Sequence, residues 1–240
     1  MSSIKSYFEH HAHHYHKEPG LYSSYAKLIP HKDKIKILDV ACGDGEFIKE
    51  MISTGIKAEF IGIDLSHQLL SSAKENLKFY PTNLCIVDAF NMPFRPSYKF
   101  DVIHLDALLH HLIGRTKGKS TKLVKRMLSL LIDKLSDDGI LMVDEYYYNS
   151  YIIQSLTSSI IFYTLKTLNF FHIDVNRIMR EIHLGLEVNF LTENQIYGLI
   201  GEHVHDVQAI RKKPHASKRT DCLFLLKESG RISLIGYRKK

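Results

Sequence analysis

Three aspartates and two glycines in the first half of this 240-residue chain have the types and spacing of a ligand cradle. Asp39-Val-Ala41-Cys42-Gly43-Asp44-Gly45 closes an apolar run of strand length and opens a helical pattern. Gly43 and Gly45 permit a tight turn and close approach of backbone to ligand, with no Cβ in the way. Asp64 ends the next apolar run, nineteen residues after Gly45, where a carboxylate can accept both hydroxyls of a ribose. Asp88 ends the third run and can accept a hydrogen bond from an exocyclic amino group. Cys42 reads as a small filler rather than a nucleophile.

These residues need parallel strands to line them up. Runs of strand length at Ile35–Val40, Ala58–Leu65, Leu84–Val87, Phe100–Leu105 and Ile140–Asp144 alternate with helical patterns. The helix from Ser66 has a Ser cap and an apolar stripe of Leu69, Leu70, Ala73 and Leu77. The helix over about 120–135 buries Val124, Met127, Leu128, Leu131 and Leu135, and the turn Asp137-Asp138-Gly139 leads into the fifth strand. Strands separated by helices in this way read as βαβ units and a doubly wound, mostly parallel sheet. Ligands of such sheets bind in the crevice at the carboxyl ends of the strands. Thr192-x-x-Gln195 is a capping box for a last helix. Closing strands are expected near Val204–Ile210 and Cys222–Lys227, giving seven in all, the last antiparallel. The whole of 1–240 reads as one domain.

Between the fifth strand and the last helix lies an insertion over roughly 146–190. Tyr146 to Leu165 carries no charge, yet eight of its twenty residues are Asn, Gln, Ser or Thr, too polar for a membrane span. Read as a helix, it places Ile152, Ile153, Leu156, Ile160 and Tyr163 on one face and Ile161, Phe162 and Leu165 on the other. A helix apolar on two faces is expected to be buried on both. One face would cover a ligand or form a homodimer contact.

Composition narrows the class. Cysteines are three and widely spaced, which excludes a disulfide framework and points to a reducing compartment, the cytoplasm. No signal-peptide pattern opens the chain. A net charge of +6 is compatible with solubility alone or with an anionic partner. The basic stretch Arg211 to Arg219 offers phosphate contacts to RNA but reads first as a solvated loop, with no added nucleic-acid module beside it. His10, His11, His13, His14 and His16 put two imidazoles at helical i, i+4 spacing, but no further ligands complete a metal site.

Taken together, these motifs resemble the class I S-adenosylmethionine-dependent methyltransferases, over about Lys34 to Glu145. ILDVACGDGEF is similar to the family's first motif, with Ala41 where glycine is frequent. GIDLS resembles the second and VDAFNMPF the third. FDVIHLDALLHHL with LSDDGILMVDE looks like the fourth strand and the turn before the fifth. The resemblance implies a Rossmann-like fold, S-adenosyl-L-methionine as cofactor and S-adenosyl-L-homocysteine as product. It implies methionine contacts from Ala41, Gly43 and Gly45 with Asp39 near the amino group, ribose and adenine contacts from Asp64 and Leu65, and adenine-edge contacts from Asp88 and Ala89. Asp106, with His110 and His111 after it, would lie near the sulfonium and the acceptor, the histidines being candidate bases. A phrase like YFEHHAHHYHKE forms an N-terminal helical lid in the family, so residues 1–30 are expected to close over the cofactor, with Tyr15 touching it. A dinucleotide fingerprint would require a third glycine where Ile48 stands. Asp39 would also repel a diphosphate.

A methyltransferase acting on a small, largely apolar or aromatic acceptor is therefore expected, because the insertion is rich in Tyr, Ile, Leu and Phe. The alternatives are an RNA or protein methyltransferase and a non-catalytic protein that retains the cofactor site.

Overall fold

A computed structural model of the chain describes residues 20, 22–30, 32, 34–173, 185–215 and 225–238. A seven-stranded sheet runs in the order β3-β2-β1-β4-β5-β7-β6. Its strands are β1 (Ile35–Val40), β2 (Ala58–Asp64), β3 (Thr82–Ile86), β4 (Phe100–Asp106), β5 (Leu135–Ser150), β6 (Val204–Pro214) and β7 (Leu226–Arg238). The first five pair in parallel, and β7 runs antiparallel between β5 and β6. The order reverses between β1 and β4, which opens the crevice where the glycine turn sits.

Among the described residues five α-helices flank the sheet: α1 (Glu46–Ser53), α2 (His67–Asn76), α3 (Lys117–Lys134), α4 (Leu156–Phe170) and α5 (Glu193–Gly201). Both sequence-read caps form. Ser66 Oγ accepts from Leu69 N, and Thr192 and Gln195 make a reciprocal capping box. The two-residue period of the strands splits the core into two layers. Leu38, Ile103, Leu105, Leu141 and Val143 face α3 and α5. Ile37, Val102, Met142 and Ile235 face α1 and the 3-10 segment Ser23–Leu28, where Tyr22, Tyr25 and Phe47 are fully buried.

Three expectations change. The fifth strand does not stop at Asp144: it continues to Ser150, because Tyr146 to Asn149 pair with Arg231 to Glu228 of β7 and the aromatic run suits a half-buried pleat. The closing strand is Leu226–Arg238, later and longer than Cys222–Lys227, and Cys222 lies outside the described residues. The helix of the insertion begins only at Leu156 and is buried on one face, through Phe162 and Leu165, while Ile152, Ile153, Ile160 and Tyr163 are exposed. The expected lid residues 1–19, Tyr15 and the histidine cluster among them, lie outside the described residues, as does 174–184 of the insertion.

Candidate functional site at the carboxyl edge of the sheet

The turn after β1 is built from left-handed residues. Ala41, Gly43 and Gly45 have φ of 56°, 56° and 81°. Gly45 is tight as well as left-handed: a Cβ there would meet Leu77 Cδ1 at 2.7 Å, whereas a Cβ on Gly43 meets nothing within 4 Å. Gly43 thus faces open space. Cys42 is buried as a filler, its Sγ 2.9 Å from where a Cβ on Gly62 would stand.

The three strand-end carboxylates take different roles. Asp64 Oδ2 accepts from Gly43 N at 3.0 Å and its Oδ1 from Ser66 N at 2.8 Å, so it ties the first turn to the second. Burial raises its carboxyl above the ordinary range, against the two backbone donors. Leu65 beside it is exposed. Asp88 Oδ1 accepts from Phe90 N at 2.9 Å and caps the short turn Ala89–Asn91, whose Asn91 amide also reaches Asp88.

Asp39 is only 2% exposed and points beneath the turn. It is the register partner of His104, whose Nδ1 lies 2.7 Å from Asp39 Oδ1 and whose Nε2 lies 3.2 Å from Asp144 Oδ2. His104 also stacks on Phe47, ring centroids 3.7 Å apart. Burial alone would lower its pKa, but the two carboxylates outweigh burial and lift it to about 9. Asp106, next along the same face, is paired with Arg231 at 2.5 Å and accepts from the Tyr22 hydroxyl. The Tyr25 hydroxyl donates to Asp144 at 2.7 Å, and Ser233 donates to the same carboxylate. Glu50 of α1 accepts from Gly20 N and Tyr22 N at 2.8 and 2.7 Å, which anchors the N-terminal segment here.

On the opposite face, His110 Nδ1 lies 2.6 Å from Glu145 Oε1. Glu145 also accepts from the backbone N–H of Leu109, His110 and Tyr146. His110 sits among aromatic rings, Phe190 stacked at 5.2 Å and Tyr146 edge-on at 5.7 Å, with Tyr148 stacked on Phe190 at 4.1 Å. His111 is equally buried, and burial, with His110 beside it, holds its pKa well below the usual imidazole range.

The glycine turn, Asp64, Leu65, Asp88, Ala89, Asp106 and His110 therefore lie along one edge of the sheet, as the sequence motifs require. Glu145, His104, Arg231, Tyr22 and Tyr25 escaped the sequence reading. A histidine inside the apolar strand FDVIHLD and the paired acids Asp144-Glu145 were their only local signals. The basic C-terminal stretch is less free than its sequence suggests. Lys212 pairs with Glu193 at 2.8 Å and Glu228 at 3.4 Å, while Lys218 and Arg219 lie outside the described residues. Among the described residues no three His, Cys, Asp or Glu side chains are grouped to hold a metal ion, and no helix is long and apolar enough to cross a membrane.

A family model described as a methyltransferase domain matches residues 31–184. An uncharacterized chloroplastic methyltransferase of Arabidopsis thaliana is 33% identical over 81 residues, 31% of this chain and 23% of that protein. A malonyl-[acyl-carrier protein] O-methyltransferase of Legionella pneumophila is 33% identical over 89 residues, 36% of this chain and 29% of that protein. The match thus spans less than a third of either relative. Among solved structures, the YcgJ protein of Bacillus subtilis superposes with a TM-score of 0.61 at 14% identity, covering 91% of this chain and 98% of that one, a likeness of fold.

Proposed function

The chain belongs to the methyltransferase domain family, the class I S-adenosylmethionine-dependent enzymes, and we propose that it methylates a small aromatic or largely apolar acceptor that His110 deprotonates. The observation that carries this reading is the 2.6 Å pair of His110 and Glu145 among Tyr146, Tyr148 and Phe190.

The residues at the sheet edge fit the cofactor by shape and by charge. Gly43 leaves open space over the turn. Asp39, Asp106 and Asp144 outnumber His104 and Arg231 in the buried cluster, and Asp64 and Asp88 add carboxylates along the same edge, so the site is net acidic. A cationic ligand complements that sign, and a diphosphate does not. In this reading Ala41, Gly43 and Gly45 receive the methionine part, Asp64 the ribose hydroxyls, Leu65 the adenine face, and Asp88 with Ala89 the adenine edge. Asp106 lies toward the reacting centre. Asp39 acts from below, holding His104 and the turn. Tyr146, Tyr148 and Phe190 supply acceptor walls within a single domain.

S-adenosylmethionine supplies an activated methyl group, so the protein's task is alignment and proton removal. Glu145 fixes the proton of His110 on Nδ1, which leaves Nε2 as the accepting nitrogen. A phenol, amine or thiol of the acceptor loses its proton there as it attacks. His111, kept neutral by burial, packs beside His110 and holds its ring. The test is transfer of labelled methyl from S-adenosylmethionine to a panel of phenols, aromatic amines and thiols. Turnover that His110→Ala abolishes supports the reading; turnover only on RNA or protein, or turnover indifferent to His110, overturns it.

A further inference from the structure

The outer face of α4, with the residues just before and just after the helix, carries more exposed apolar surface than a solitary soluble domain usually shows. Ile152 and Phe170 are 74% and 76% exposed, and Tyr151, Ile153, Ile160, Tyr163, Phe171 and Ile173 are exposed with them. With large side chains presenting roughly 100 to 200 Å² each, the eight offer about 1,000 Å², above the few hundred Å² usual for a monomer's patches and comparable to the ~800 Å² each partner buries in a standard interface.

The spacing says what kind of object fits. Leu156, Ile160, Tyr163, Thr167 and Phe170 of α4 recur at alternating steps of four and three, the seam of a helix that packs lengthwise on another helix. The polar residues of α4 do not interrupt this surface. Thr167 turns its hydroxyl back onto Tyr163 O at 2.9 Å, and Ser159 onto Ser155 O at 2.7 Å. Each hydroxyl is satisfied within its own helix, so a partner can cover the face without stranding them. The only charge on α4 is Lys166, which pairs with Glu187 at 3.2 Å.

That absence of charge decides between partners. A membrane-surface helix has a strongly basic polar face beside its apolar one, and α4 has none. A foreign partner would be steered by complementary charges at the rim. An uncharged stripe matches a copy of itself, since two such faces meet across a two-fold axis with no like-charge repulsion.

We propose that two copies of this chain pair through α4, the helices antiparallel, with Ile160 of each lying against Tyr163 of its partner. The 240-residue chain in sedimentation equilibrium should weigh twice its own mass and dissociate on dilution. The double variant Ile160→Lys, Tyr163→Lys, at exposed positions, should be monomeric at the same concentrations, with an unchanged circular dichroism spectrum and the melting temperature of wild type diluted to monomer. In a Cys85→Ser background, Ile160→Cys with Tyr163→Cys should cross-link between copies on mild oxidation, whereas cysteines placed at Thr164 and Lys57 should not. A monomer at all concentrations overturns the proposal, whether or not it binds neutral phosphatidylcholine vesicles. So does a dimer that survives the two lysines.

Discussion

His104 Nδ1 stands 2.7 Å from Asp39 Oδ1, a buried pair that joins the strand before the glycine turn to the strand that leads to the candidate base. The pair makes folding stability depend on pH. Two carboxylates hold His104 at about 9, above its ordinary 6.5. A group with a raised folded pKa stabilises fully below its unfolded value, and the contribution fades as pH climbs through the folded one. Stability is therefore expected to fall by about 3 kcal/mol between pH 6.5 and 9.5. Urea denaturation across that range measures it. His104→Gln, unable to carry the charge, should be less stable at pH 6.5 and lack most of this slope. A wild-type midpoint flat to pH 9.5 would contradict the pairing.

The two glycines of the turn should separate on substitution. Gly43→Ala places a Cβ in open space, so it should cost stability only the left-handed strain, about 1–2 kcal/mol. It should nevertheless weaken S-adenosylmethionine binding roughly tenfold or more, about 1.4 kcal/mol, by filling the approach. Gly45→Ala adds a 2.7 Å approach to Leu77 and should destabilise by about 2–4 kcal/mol. Thermal melts and titration of both variants check the contrast, and equal affinity of Gly43→Ala and wild type would remove Gly43 from the cofactor site.

Asp64 accepts from Gly43 N and Ser66 N and retains lone pairs for a ligand. Asp64→Asn keeps the size but can no longer accept at both ends. Its affinity for S-adenosylhomocysteine should fall by about 1–3 kcal/mol, with the sheet intact by circular dichroism. Unchanged affinity would reject Asp64 as the ribose ligand.

Glu145 is buried with four donors around it, three of them backbone N–H groups and the fourth His110. Glu145→Gln should therefore lower kcat while leaving the KM for S-adenosylmethionine near its wild-type value. His110→Ala should cost roughly 10²–10⁴ in kcat, the range of a general base. A KM for S-adenosylmethionine that rises as kcat falls would indicate a structural role for Glu145.

Much of this arrangement is legible in the sequence because local rules and the fold agree. The first four strand runs, the glycine turn, the Ser66 cap and the Thr192 box are short-range signals, and each appears within about two residues of where the sequence places it. The carboxylates at Asp64 and Asp88 are legible because strand ends of a parallel sheet share one edge. What escaped depends on pairing across strands. Asp39 reads as a ligand-facing acid until its register partner is known to be His104. Asp144 and Glu145 are neighbours in sequence, yet the strand's two-residue period sends one to His104 and the other to His110. The tyrosines after Asp144 read as the start of a helix because their partner strand, β7, is about eighty residues away. The single-faced burial of α4 is likewise a matter of what is packed against it, which periodicity alone does not reveal.

The most direct test is calorimetric titration of the purified protein with S-adenosylmethionine, S-adenosylhomocysteine and NAD. The account predicts micromolar binding of the first two, weakened in Asp64→Asn, and no heat from NAD. Binding of NAD alone, or no binding of either methyl-cycle ligand by folded protein, would contradict it.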